Sequence, residues 1–255
     1  MTKLDSRCHQ ISIPITLDKI AAQGRIGLIL LASDFNAEQD LRRMLPDGVE
    51  IFTNRVLNRN PLTLDNLRSM TTDISRAAAG ILPGVKVDVM IYGCTSGTIA
   101  IGADNIQQLI QQVRPDIPVT NPVNAAIAAF KSLNARKISI LTPYISELNQ
   151  AMLEYFESQG LDIISISGLG FEDDIDIAGI PPATLLQVAQ QVCDAEADAL
   201  FISCTSLRLT SVLEEIESAI DKPVVSSNQA IVWHSLELIG YNQPINHMGK
   251  LLRSL

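Results

Sequence analysis

Short apolar runs rich in β-branched residues alternate along most of this chain with segments whose apolar positions recur every three or four residues. The runs Arg25–Leu31, Val49–Thr53, Val87–Ile91, Ile138–Leu141, Leu161–Ile166, Ala199–Ile202 and Pro223–Val225 predict strands. Their nearly unbroken apolar character is that of parallel strands covered on both faces. Between them Leu64, Leu67, Met70, Ile74 and Ala78 keep helical spacing, as do Leu148, Ala151, Met152, Tyr155 and Phe156. Two further sets do the same: Leu185, Leu186, Val192 and Cys193, then Leu209, Val212, Leu213, Ile216 and Ile220. Strands and helices in alternation predict an α/β fold with doubly wound, mostly parallel sheets. The first twenty or so residues read as aperiodic, a tail or a packing arm.

One phrase occurs twice in this pattern. Val87–Gly93 leads into Cys94, Thr95 and Ser96, and Asp198–Ser203 leads into Cys204, Thr205 and Ser206, each after a strand-like run and before a helix-like one. A thiol at the carboxyl end of a strand meets backbone N–H groups and a helix dipole, the setting that favours a thiolate and binds an anion beside it. In the first copy Gly93 permits a sharp turn, Thr95 and Ser96 can cap the next helix, and Gly97 leaves room for a ligand. In the second copy Leu207 and Arg208 stand where the first has Gly97 and Thr98, so the two sites are not identical. The repeat favours two domains. A boundary near Thr120–Pro122 and a return crossing near Ser226–Asn228 give one domain of residues 1–121 plus 226–255, carrying Cys94, and another of residues 122–225, carrying Cys204. The ligand crevice then lies between them, where open α/β sheets place their sites.

Composition narrows the function. The formal charge of −9 and the absence of a Lys/Arg cluster argue against nucleic acid as a partner. The longest apolar stretch, Ile26 to Ala32, is far too short to span a bilayer, and the N-terminus lacks the build of a signal peptide, so no membrane contact and a cytoplasmic location are expected. Four cysteines without CxxC spacing read as free thiols in a reducing compartment. His9, His234 and His247 form no metal-binding pair, and the cluster Glu172, Asp173, Asp174 and Asp176 lacks calcium-loop spacing, so no metal is assigned. Cys193 falls on an apolar stripe and reads as core, Cys8 belongs to the tail, and His234 reads as a histidine satisfied inside a mostly apolar helix.

The paired Cys-Thr-Ser turns, Thr142-Pro143-Tyr144 after the mid-chain strand, and the stretch from Gly168 to Pro182 resemble the aspartate/glutamate racemase superfamily. Within it they are most similar to the maleate cis–trans isomerase and arylmalonate decarboxylase branch. The resemblance runs from about Gly24 to the C-terminal helix. It implies two similar flavodoxin-like domains related by pseudo-symmetry, a homo-oligomer, and a site in the interdomain cleft that needs no cofactor. It also implies that Cys94 and Cys204 are the paired acid/base or nucleophilic groups. Thr95, Ser96, Thr205 and Ser206 would hold a substrate carboxylate, and Tyr144 would contact substrate.

Two departures bear on the substrate. Asp34, in Leu31-Ala32-Ser33-Asp34, and Asp174 stand where the maleate isomerases carry asparagines that help hold a carboxylate. A carboxylate there repels a dicarboxylate unless it is protonated or a cation intervenes. The same substitutions resemble the ectoine-utilisation protein A group. Arylmalonate decarboxylases use one cysteine, at the second position, so the presence of Cys94 counts against decarboxylation. The leading expectation is a cofactor-independent racemase or epimerase acting on a small, amino-acid-like carboxylate, with one thiolate removing the α-proton and the opposing thiol supplying another. The alternatives are a maleate-type cis–trans isomerase with a covalent adduct on Cys94, an arylmalonate-type decarboxylase, and a non-catalytic binder of small acids.

Overall fold

The computed structural model describes residues 8–255; residues 1–7 of the expected tail lie outside the described residues. From the amino end the elements are β1 (Gly24–Leu31), α1 (Ala37–Met44), β2 (Val49–Val56), α2 (Leu64–Ser69), α3 (Thr71–Gly80), β3 (Val89–Tyr92), α4 (Thr95–Ile101), α5 (Ala103–Gln111) and β4 (Val119–Thr120). They continue with α6 (Pro122–Ser132), β5 (Lys137–Thr142), α7 (Ser146–Ser158), β6 (Asp162–Gly168), α8 (Asp174–Gly179), α9 (Pro182–Val192), β7 (Ala199–Ile202), α10 (Leu213–Ile220), β8 (Val224–Ser226), α11 (Ser227–Leu238) and α12 (Gly249–Arg253).

The strands form two four-stranded sheets with the same order, β2-β1-β3-β4 and β6-β5-β7-β8, and every pairing is parallel. Each sheet is therefore one half of a structural repeat, and the two Cys-Thr-Ser phrases come after the third strand of each. Strands β3 and β7 are buried at every position, which is why they read as continuous apolar runs. Helix α11 has no amphipathic stripe because nearly every residue in it is buried: it packs against α1, α6, β3, β4 and β8. Its start is fixed by a reciprocal cap between Ser226 and Gln229. Helix α12 packs against α10 and β8.

Two expectations are corrected. The helical spacing of residues 64–78 is split, with Met70 closing α2 and opening α3. The chain after Cys204 does not enter a helix but turns through residues 205–212, and α10 begins only at Leu213. Leu209 and Val212 imitate helical spacing because both pack into the core from that turn. No helix among the described residues is long and apolar enough to cross a membrane.

Candidate active site

Cys94 caps α4. Its backbone is extended, with φ −144° and ψ 118°, and its sulfur accepts the Gly97 N–H at 3.2 Å while Ser96 Oγ lies 3.7 Å away. A Cβ on Gly97 would come within 2.9 Å of that sulfur and 2.7 Å of the Tyr92 hydroxyl, so glycine is required for close packing at this position. The Cys94 carbonyl in turn accepts from the Thr98 hydroxyl at 2.7 Å and the Thr98 amide at 3.0 Å.

Cys204 is held differently. Its φ of 135° lies where L-residues are rarely found, and its amide donates to Ser227 Oγ at 3.0 Å. Ser227 Oγ also lies 2.9 Å from Thr95 Oγ1, and the Thr205 hydroxyl donates to the Gly93 carbonyl at 3.3 Å. The two turns, one from each sheet, are thus in direct contact and share Ser227 as a tie.

Tyr144 sits buried beside Cys204 and Ser96, and its hydroxyl has no hydrogen-bond partner among the described residues. Its loop is anchored at the end of β5: the Tyr144 amide donates to Thr142 Oγ1 at 3.1 Å, the Thr142 hydroxyl donates to Asn149 Oδ1 at 2.6 Å, and Asn149 Nδ2 donates to the Tyr144 carbonyl at 3.3 Å. A side chain on Gly168 would strike this same carbonyl at 2.5 Å.

Two buried carboxylates complete the site. Asp34 Oδ1 accepts the amides of Asn36 at 2.9 Å and Ala37 at 2.8 Å, whereas its Oδ2 is buried without a partner among the described residues. Asp174 opens α8, in the second half of the chain, and reaches into the first: its Oδ2 accepts from Ser33 Oγ at 2.5 Å and Asn58 Nδ2 at 3.1 Å. The sequence places Asp174 in a solvated acidic loop; the structure buries it, while its neighbour Asp173 caps α8. Burial holds both Asp34 and Asp174 above the ordinary carboxylate range, and for Asp174 the nearby Asp34 charge adds to this.

The thiols are 4% and 5% exposed. Burial pushes the Cys94 thiol far up, and the Asp174 charge pushes it further. Burial and then Asp174 push Cys204 up to about 12. At neutral pH both sulfurs therefore hold their protons, and any positive charge brought beside Asp34 and Asp174 lowers both thiols.

The structure gathers Asp34, Cys94, Thr95, Ser96, Tyr144, Asp174, Cys204, Thr205 and Ser206 at the facing carboxyl ends of the two sheets, all buried. Three polar residues that sequence reasoning missed hold this group together: Ser33, Asn58 and Ser227. A fourth and fifth, Asn36 and Asn228, meet at buried Asp40 and the carbonyl of Thr205. Nothing in their local pattern marks them, apart from the place of Ser227 and Asn228 at the return crossing. A cavity of about 330 Å³ is lined by Phe35, Ile175, Ala178 and Arg208 among others, so its walls include the chain neighbours of Asp34 and Asp174. Cys193 ends α9 half-buried, Cys8 is exposed, and His234 pairs with the Thr120 hydroxyl at 2.8 Å. No cluster of three metal-type ligands occurs among the described residues.

A family model described as arylmalonate decarboxylase matches residues 26–252. The chain is 24% identical over 246 residues to a maleate isomerase of Alcaligenes faecalis, covering 89% of this chain and 96% of that one. It is 22% identical over 248 residues to a maleate isomerase of Geobacillus stearothermophilus, covering 91% and 98%. In fold it is similar to a cysteine-to-serine mutant of the Nocardia farcinica maleate cis–trans isomerase carrying a covalently bound succinylcysteine intermediate, with a TM-score of 0.82 at 21% identity, covering 90% of this chain and 98% of that one.

Proposed function

The chain belongs to the arylmalonate decarboxylase family, and from that premise we propose that it is a cofactor-independent isomerase whose acid/base pair is Cys94 and Cys204. Its substrate is a small carboxylate that also bears an ammonium or amide group. The observation that carries this reading is the convergence of two buried thiols with two buried carboxylates, one of which, Asp34, has an oxygen without a partner among the described residues. A dicarboxylate entering this site would push the thiols up further and disable them. An ammonium seated between Asp34 and Asp174 does the reverse, so as the substrate enters one thiol gives its proton up to solvent and becomes the thiolate while the other keeps its own.

With the ammonium so placed, the substrate carboxylate lies against the turn hydroxyls of Thr95, Ser96, Thr205 and Ser206. One thiolate takes the α-proton, breaking the C–H bond and leaving its electron pair delocalised into the carboxylate. The opposing thiol delivers its proton to the other face, so the centre inverts and the two sulfurs exchange protonation states. Donors aimed at the carboxylate stabilise the charge that accumulates on it. Because the thiols act as a pair, which of them is base depends on which enantiomer is bound.

A second reading is favoured by the relatives, which are maleate isomerases over nearly their whole length. In it the Cys94 thiolate adds to an electron-poor double bond, the new single bond rotates, and elimination returns the trans isomer, with Cys204 supplying and recovering the proton. The division into residues 1–121 plus 226–255 and residues 122–225, the cytoplasmic location and the homo-oligomer belong to this same proposal. So does the finer likeness to the ectoine-utilisation protein A group, which rests on Asp34 and Asp174.

Proton NMR in D₂O with amino acids, diaminobutyrate derivatives, maleate and arylmalonates tests the choice. Deuterium appearing at an α-carbon without a change of skeleton is the expected outcome. Conversion of maleate to fumarate would transfer the conclusion to the second reading, and loss of CO₂ from an arylmalonate would overturn both.

A further inference from the structure

Residues 8–20 precede β1 outside the matched span 26–252 and form no helix or strand. The whole of this segment is exposed, and its residue types alternate over one short stretch. Ile11, Ile13, Ile15 and Leu17 alternate with Ser12, Pro14 and Thr16, and the four apolar side chains are 80%, 63%, 71% and 86% exposed. That is a strand pattern whose apolar face is exposed among the described residues. Over residues 11–17 the segment carries no charge.

Proline sets how such a strand can pair. Successive residues direct their backbone groups to opposite edges, so Pro14 removes a donor from the edge shared with Ser12 and Thr16 and leaves the edge of Ile11, Ile13, Ile15 and Leu17 intact. The segment can therefore close a sheet but cannot propagate one.

The body of the protein offers one fitting edge among the described strands. β6 is the outer strand of the second sheet, and it pairs only with β5. It is seven residues long, the length of the 11–17 segment, and none of its residues is fully buried although Ile163, Ile164 and Ile166 are among them. Its interior, residues 163–167, holds no charge. The other long outer strand, β2, carries Glu50 and Arg55 at its exposed positions, the usual protection of an open edge. Strand β4 has two residues and β8 has three, all buried in β8.

Reach decides whose β6 is used. The carboxyl ends of the two sheets face each other at the thiols, so the amino end of β1, where the segment joins, points away from the second sheet. From Gly24 back to Leu17 an extended chain spans about 23 Å, and running back along β1 alone, which is equally long, takes all of it. We propose that residues 11–17 of one copy add as a fifth strand to the outer edge of β6 in a second copy of this chain, in a reciprocal exchange that closes a dimer.

Sedimentation velocity and amide hydrogen exchange on the full chain test this, with Ile13→Asp/Ile15→Asp as the comparison variant. Both changes fall in an exposed segment, so the fold itself is not at risk. The expected result is a dimer that becomes a monomer in the variant, with amides of residues 163–167 exchanging at least about 10-fold faster. A full chain that is monomeric overturns the proposal, as does a variant that stays dimeric with β6 unchanged. Loss of the dimer with faster exchange confined to another strand would also overturn it. Neither readout depends on the reaction, so the outcome is separate from that of the proposed function.

Discussion

At the first Cys-Thr-Ser turn the sulfur takes an N–H from Gly97, three residues on, and the backbone is extended at φ −144°. At the second, the backbone turns through a φ of 135° and is held by Ser227, 23 residues further along the chain. The same three residues come after the same strand of the same sheet order, yet one turn is made by its own helix and the other by tertiary contact. The comparison teaches that a repeated phrase can preserve chemistry, a buried thiol at a sheet's carboxyl end, while the means of holding it diverges. The residue three positions beyond each cysteine accounts for the difference: Gly97 lets α4 start under Cys94, whereas Leu207 fills the equivalent space with a buried side chain.

The largest test asks whether the two thiols remain equal in function despite this. Cys94→Ala and Cys204→Ala should each lower turnover by about 10²–10⁴-fold, measured as deuterium uptake at the substrate α-carbon. Full activity in either variant would break the paired scheme. A covalent substrate adduct seen by mass spectrometry in Cys204→Ala alone would sharpen the asymmetry into the addition route.

The next test concerns the position three residues after each cysteine. Leu207→Ala empties a core site and should cost about 2–5 kcal/mol in denaturant melts, while Gly97→Ala presses on the Cys94 sulfur and should cost about 1–3 kcal/mol. Equal tolerance of alanine at both would mean that the turns are packed alike.

Backbone conformation predicts a smaller difference between the turns. At 204, Gly should be more stable than Ala by about 1 kcal/mol, because φ is positive there. At 94 the backbone is extended, so Gly relieves no such strain there. The four melts, compared pairwise, give the result directly.

The smallest effect is electrostatic and acts across both turns. Asp174 binds its proton more tightly when folded than when unfolded, so the stability it permits is complete below the unfolded carboxylate value near 3.8 and is lost as pH rises through the raised folded value. Asp174→Asn removes that loss. Its melting temperature should match the parent's at low pH and exceed it at neutral pH; a gap that fails to widen with pH would show that the carboxylate is not strained.

Much of the fold is legible without coordinates. The apolar runs around Ile26–Leu31 and Ala199–Ile202 need no tertiary context to be read as buried strands, and the repeated thiols are visible because two copies stand out where one would not. A helix directly after Cys204 is the wrong expectation because Leu209 and Val212 are buried from an irregular turn, and burial alone produces the spacing of a helix face. Asp174 reads as solvated because its neighbours are acidic; only the fold brings Ser33 and Asn58 from the other half of the chain to receive it. Ser227 is marked only by its place at the return crossing, next to the Ser226 that caps α11, and nothing local shows that its hydroxyl reaches Cys204 and Thr95.

That hydroxyl has a consequence at the level of hydrogens. A peptide N–H can give a proton and cannot accept one, so at Ser227 Oγ the Cys204 amide is the giver. Ser227 is fully buried and Thr95 Oγ1 lies 2.9 Å away, a contact in which either hydroxyl can be the donor. The tie is therefore fixed in direction where it meets the second turn and reversible where it meets the first, and the approximate twofold of the backbone is broken in its protons.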